Sequence, residues 1–310
     1  SPYLAMMAIG KFAVVKDHWQ DIEVNYYVEP EYARYAKDIF GNTPEMLDFF
    51  SNKLGFKYPW DKYSQVAVRD YVSGAMENTT ATILLEEVQV DNRELLDHNW
   101  DGIIAHELFH HWFGDLVTCE SWANLPLNEA FATYSEYLWA EYKYGADEAD
   151  YILQNELKNY LYEARRKQVP LIRYHYRSKG SMFDGHTYAK GSTILHMLRK
   201  YVGDDAFFES LKLYLHTHKF TDVEIHDLRI TFEQVTGEDL NWFFNQWFFS
   251  PGHPVIRVEH QFAASNGTLI LKIWQNQDSA NTPIYRLPLA VDIWVDGKKQ
   301  RHEIEITKAY

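Results

Sequence analysis

The 310-residue chain has one cysteine, Cys119. That excludes an internal disulfide framework and any metal site built from several thiolates. Basic residues are also few: 30 Lys and Arg stand against 44 Asp and Glu, a formal net charge of -14. No nucleic-acid partner is expected, because phosphate binding needs cations in excess. No apolar run approaches the ~18 residues of a membrane span. The most apolar stretch, Trp242–Phe249, is broken by Asn245 and Gln246. The start lacks both a Met and the basic-then-apolar layout of a leader. A piece of a longer soluble protein is expected, of the cytoplasm ahead of the periplasm or exterior, although Ser1 does not fix the compartment.

What is present matches an average globular chain, with 46% apolar and 24% charged residues, enough for one large domain or two. Tyr3–Val28 reads as short strands. Thr43-Pro44 opens a helix, with Thr43 as its cap. Met46, Leu47, Phe50 and Leu54 share one face of it and Gly55 ends it. Tyr63–Asp70 and Ala81–Leu85 read as strands. Helical patterns follow over Arg93–Phe113, Pro126–Tyr144, Asp147–Lys167, His186–Val202, Asp205–Lys219, Ile225–Val235 and Leu240–Phe249. Ser250-Pro251-Gly252-His253-Pro254 is a strong break. Beyond it, Val255–Phe262, Thr268–Trp274, Arg286–Val295 and His302–Ile306 alternate apolar with polar residues, as strands of a β-sandwich-like module do.

The chemistry sits in His106-Glu107-Leu108-Phe109-His110. On a helix, positions i and i+4 share a face, so both imidazoles reach one metal ion. Zinc accepts imidazole nitrogen and carboxylate oxygen readily. Glu107, between the histidines, can take a proton from a metal-bound water. The plain alternative is a solvated His/Glu face, but Ile103, Ile104, Leu108 and Phe109 make this helix half-buried. A catalytic zinc takes three protein ligands. Glu129, 19 residues after His110 in the first turn of the next helix, is the third. Glu136, two turns further along the same face, either orients a ligand histidine or is a surface acid. His111 points to another face and reads as a packing residue. Cys119 reads as buried and inert.

His106–His110, 18 intervening residues and Glu129 within Asn128-Glu129-Ala130-Phe131-Ala132, preceded by Gly74-Ala75-Met76-Glu77-Asn78, resemble the aminopeptidase N family of zinc metallopeptidases. Trp112-Phe113-Gly114, Tyr58-Pro59-Trp60-Asp61 and Tyr188-Ala189-Lys190-Gly191 extend the resemblance, which covers at least Thr43–Pro254. It implies an α+β fold: a thermolysin-like zinc peptidase catalytic domain (a small mixed sheet plus a mostly helical lobe) over residues 21–252, and the β-sandwich-like module over 253–310. Residues 1–20 would be the tail of a missing N-terminal β domain, and a C-terminal helical domain would also be missing. It implies one Zn2+ per chain on His106, His110 and Glu129, with Glu107 as general base. Gly74, Ala75, Met76, Glu77 and Asn78 would bind substrate, Glu77 taking the free α-amine. Tyr188 would stabilise the oxyanion. In the family the first domain supplies a second amine-holding group, for which this sequence offers no candidate.

The expected function is therefore zinc-dependent removal of N-terminal residues from peptides. A thermolysin-type metallo-endopeptidase and an inactive truncated scaffold are the alternatives. An endopeptidase has no use for the amine anchor Glu77, and a decayed scaffold would not keep every ligand and the base.

Overall fold

A computed structural model describes residues 2–310. Strands β1 (Ala13–Trp19) and β2 (Ile22–Val28) form a hairpin. With β3 (Lys62–Val68), β4 (Ala75–Met76) and β5 (Ala81–Leu85) they make one sheet in the order β1-β2-β3-β5-β4. β2, β3 and β5 run parallel. β4 is a short antiparallel edge strand beside β5. The parallel strands are apolar because both faces are covered; Val24, Tyr26, Tyr63 and Leu84 are buried. The expected boundary after residue 20 falls in the β1–β2 turn, and the sheet continues across it.

Helices α1 (Ala36–Phe40) and α2 (Thr43–Leu54) lie between β2 and β3. The predicted apolar face of α2 is buried, and Gly55 ends the helix in the left-handed conformation at φ 58°. Thr43 is not the cap expected: Asn42 holds that position. The buried Thr43 hydroxyl instead donates to Gln65 Oε1 of β3 at 2.8 Å.

The helix expected from Arg93 onwards is broken. A single 3-10 turn, Glu94–Leu96, precedes α3 (Asp101–Phe109). Leu96 is 86% exposed, so that turn has no apolar face to bury. The start of α3 is fixed by Asp101, whose buried carboxylate accepts from Trp139 Nε1 at 2.8 Å and from the Tyr144 hydroxyl at 2.6 Å. A short parallel pair, β6 (Val117–Cys119) and β7 (Thr221–Val223), lies among the remaining helices. These are α4 (Pro126–Lys143), α5 (Ala146–Ala164), α6 (Gly191–Val202), α7 (Asp204–His218), α8 (Ile225–Thr236) and α9 (Asn241–Trp247). The helix expected from His186 begins as a five-residue π-helical turn, His186–Lys190, ahead of α6. At Gly191 a Cβ would come within 2.5 Å of the Ala130 Cβ, which is how closely α6 crosses α4. No helix among the described residues is long and apolar enough to cross a membrane.

Past the Pro251–Pro254 break come β8 (Ile256–Ala263), β9 (Thr268–Gln275), β10 (Leu287–Val295) and β11 (Lys298–Ile306). They form two antiparallel hairpins, each its own two-stranded sheet. Tyr285 and Leu287, which lead into β10, are buried in the main core. The chain is thus α+β: a small mixed sheet, a helical lobe and terminal hairpins.

Candidate active site

α3 and α4 pack against each other and carry the predicted metal-binding residues. His106 and Glu107 lie in the last turns of α3, His110 directly follows it, and Glu129 is in the first turn of α4. Pro126 at the start of α4 forfeits no helical hydrogen bond and fixes that first turn. The Nε2 atoms of His106 and His110 lie 3.4 and 3.2 Å from Glu129 Oε2. The ligand atoms of all three residues fall within 4.8 Å of one another.

The outer side of each imidazole is occupied. His106 Nδ1 bonds Glu136 Oε1 at 2.9 Å and His110 Nδ1 bonds the Phe113 carbonyl at 3.0 Å. With Nδ1 donating outwards, both Nε2 atoms converge on Glu129, the arrangement a metal centre requires. Glu136 thus holds the orientation of the His106 ring. Glu107 is buried, and its Oε2 has no hydrogen-bond partner. An orphaned carboxylate oxygen beside three converging ligands fits a site built to hold a metal ion.

Electrostatics agree. Burial pushes the Glu107 carboxyl up to about 8, with His106 and His110 pulling the other way. Burial would lower His110, but Glu77 and Glu129 outweigh it and raise the imidazole to about 9. Burial opposes ionisation of Glu129 too, yet the histidines hold it well below the usual carboxylate range. Without metal, His110 and Glu129 therefore attract one another as opposite charges.

A cleft of about 550 Å³ opens over this centre. Gly74, Ala75, Met76 and Glu77 line it, with β4 as an unpaired sheet edge. Glu77 itself is buried. Asn78 differs from expectation: it does not line the cleft, and its amide donates to the Leu4 carbonyl at 3.0 Å. The chain turns away from the cleft there, since Asn78 O accepts from Ala81 N to start β5. The Tyr188 ring faces His106, with centroids 6.1 Å apart and planes 14° from parallel. Burial, then the charge of Glu129, keeps the Tyr188 phenol far above its ordinary pKa.

Two residues of the site were not legible in the sequence as site residues. Tyr3 lines the cleft and donates to Glu77. His111, expected only to pack, is fully buried and bonds at both nitrogens: Nδ1 to the Glu107 carbonyl at 3.2 Å, and Nε2 to the Thr80 N–H at 3.0 Å. It ties the segment after Asn78 to α3. Cys119 is buried as expected, and burial pushes its thiol up to about 12.

A second acid–imidazole group, Glu163, Asp184 and His186, also has ligand atoms within reach of one another. Lys167 and Arg173 already neutralise Asp184, and His186 Nδ1 bonds Glu163 at 2.8 Å. It is an ion-pair network.

Two histidines one helical turn apart, a carboxylate from the next helix and an acid between the histidines define a metallopeptidase-type centre. The Peptidase family M1 domain matches residues 39–247 of the chain, and the chain belongs to that family. It is 32% identical over 276 residues to aminopeptidase N of Streptomyces lividans, covering 84% of this chain and 32% of that protein. It is likewise 32% identical over 273 residues to aminopeptidase M1 of Arabidopsis thaliana, covering 84% and 30%. The fold is similar to the crystal structure of Legionella pneumophila aminopeptidase A in complex with aspartic acid, with TM-score 0.80, 19% identity, and 97% and 35% of the two chains covered. The chain thus spans about a third of the length of these relatives.

Proposed function

We propose that this chain is the catalytic part of a zinc-dependent aminopeptidase that removes N-terminal residues from peptides. The observation that carries the reading is Glu77, a buried carboxylate that directly follows the edge strand β4 and lines the same cleft as the three-residue metal group. A fixed carboxylate there rewards an ammonium group and sets which bond lies over the metal.

His106, His110 and Glu129 would hold the ion, and their nitrogen and carboxylate donors suit zinc. A zinc ion held there supplies Lewis acidity, lowering the pKa of water beside it and polarising a carbonyl. Glu107 takes the proton from water and returns it to the leaving amine; a carboxyl lifted towards neutrality is matched to both steps. The free edge of β4 pairs with the substrate backbone as an added strand. The Tyr188 phenol, which keeps its proton, donates to the developing oxyanion.

An endopeptidase reading has no use for Glu77, and an inactive scaffold has no use for a complete donor set with Glu107. The intact protein, on this reading, carries further domains beside the catalytic domain of residues 21–252 and a β-sandwich-like module of residues 253–310. The test compares an aminoacyl anilide with its N-acetyl form, using the full-length protein. The expected preference for the free amine is roughly 100-fold in kcat/KM, the worth of one charged hydrogen-bonded contact. Equal rates, or preference for the blocked substrate, would overturn the reading.

A further inference from the structure

Lys190 ends the π-helical turn that carries Tyr188, and it is 3% exposed. Among the described residues its ammonium forms no ion pair with a carboxylate. Among the described residues its one hydrogen-bond partner is the Gly252 carbonyl, at 2.9 Å. The Tyr160 hydroxyl of α5 donates to the same oxygen at 3.1 Å, and the Tyr160 ring lies 5.5 Å from the ammonium. Burial, then the like charge of Arg173, pulls the Lys190 amine down to about 7. A methionine would fill this space without burying a cation, so the ammonium opposes stability where it stands. What it provides is a donor aimed at one carbonyl.

That carbonyl belongs to the link between the helical lobe and the terminal hairpins. Gly252 has φ 81°, and a Cβ there would meet Thr282 Oγ1 at 2.3 Å. Thr282 and Tyr285 lie in the connection from β9 to β10, and the Tyr285 hydroxyl donates to the Pro251 carbonyl at 3.3 Å. The link is thus gripped from the hairpin side by Thr282 and Tyr285, and from the catalytic side by Lys190 and Tyr160.

A π-helical turn holds one residue more than an α-helical one, so its shape depends on what secures its ends. The first end is held by Asp184, which accepts from the backbone N–H of Thr187 at 2.9 Å and of His186 at 3.1 Å. The last end is held by Lys190. Tyr188 lies between them, facing His106. We propose that Lys190 is a positioning residue: by fixing the π-helical turn to the Gly252 carbonyl it sets the placement of Tyr188, and so couples the seating of the terminal hairpins to the chemical step.

This rests on the role proposed for Tyr188. The test is a double-mutant cycle in the full-length protein, with zinc content measured for each variant. Tyr188→Phe alone is expected to lower kcat about 100-fold or more, as loss of an oxyanion donor does. Lys190→Met is expected to lower kcat about tenfold, keep KM within about twofold and keep one zinc per chain. In the Tyr188→Phe background, Lys190→Met should change kcat less than about twofold, because the group it positions is gone. Tyr160→Phe removes the second donor to Gly252 and should show a smaller loss of the same kind; it decides the matter if Lys190→Met does not fold. Equal losses in both backgrounds, or wild-type kcat in Lys190→Met, would overturn the coupling while leaving Tyr188 in place. Wild-type kcat in Tyr188→Phe would overturn the Tyr188 role and the coupling with it.

Discussion

The Tyr3 hydroxyl donates to Glu77 Oε1 at 3.3 Å, across 74 positions of sequence. The Tyr3 hydroxyl oxygen in turn accepts from Asn128 Nδ2 at 3.5 Å, one residue before the metal-group carboxylate Glu129. Burial, then the charge of Glu77, keeps the Tyr3 phenol protonated at any working pH, so it is always a donor to Glu77. Tyr3 therefore ties Glu77, the proposed amine anchor, to the helix that carries Glu129.

Tyr3→Phe keeps the ring, which packs edge-on to Trp122, and removes only the donor. Glu77 then has one fewer restraint before substrate arrives. KM for free-amine substrates should rise about five- to tenfold, the worth of roughly 1 kcal/mol, with kcat within about twofold. Steady-state kinetics check this; an unchanged KM would show that Glu77 needs no such support.

Glu107→Gln tests the proton carrier. The amide fills the same space but cannot take a proton from water. kcat should fall by about 1000-fold, within the usual reach of acid–base catalysis, while zinc stays bound because Glu107 is not among the converging ligands. Metal analysis with single-turnover rates distinguishes this from loss of the ion.

How much of this was legible in sequence depends on distance along the chain. His106 and His110 lie one helical turn apart, so spacing alone places them on one face, with Glu107 beside them in the same turn. Glu129 follows from the next helix. The helix expected from Arg93 failed because propensity does not reveal that Asp101 binds Trp139 and Tyr144, which fixes where α3 begins. Asn78 belongs to an unbroken motif, yet its neighbours' turn into β5 takes it out of the cleft. Tyr3 was unreadable, since nothing local tells one tyrosine from 21 others. The π-helical turn was equally hidden, because its pattern is that of an ordinary helix start.

Metal uptake should release protons. In the metal-free site, carboxylates raise His110 to about 9 and lift His106 above its ordinary value despite burial. His110 is therefore protonated at pH 7 and must give up its Nε2 proton to a metal, and the carboxylates bias His106 the same way. Zinc binding should release at least one proton per ion, and affinity should fall as pH falls. Calorimetry in buffers of different ionisation enthalpy measures this directly. Glu136→Gln weakens the acceptor behind His106 and should lower zinc affinity about 10-fold to 100-fold. Zinc uptake with no proton release would mean the site is preformed in its neutral state.

Asp184 gives a prediction about stability that involves no metal. Burial would raise its pKa, but Arg173 and Lys167 prevail and hold it at about 2. Its folded pKa is thus below the unfolded value of about 3.9. Its contribution is fully present above about pH 4 and is lost as pH falls towards 2, with a size of about 2 kcal/mol. Asp184→Asn should destabilise the protein by at least about 2 kcal/mol at pH 7, since Arg173 is left buried and unneutralised. The gap from wild type should narrow as pH is lowered, because wild-type Asp184 then protonates as well. Urea unfolding at pH 7, 5 and 3 measures it; a gap that stays constant over that range would place the stabilisation in packing rather than in the ion pair. The carboxylate also holds the first end of the Tyr188 turn, so activity should decline over the same acid range in which stability is lost.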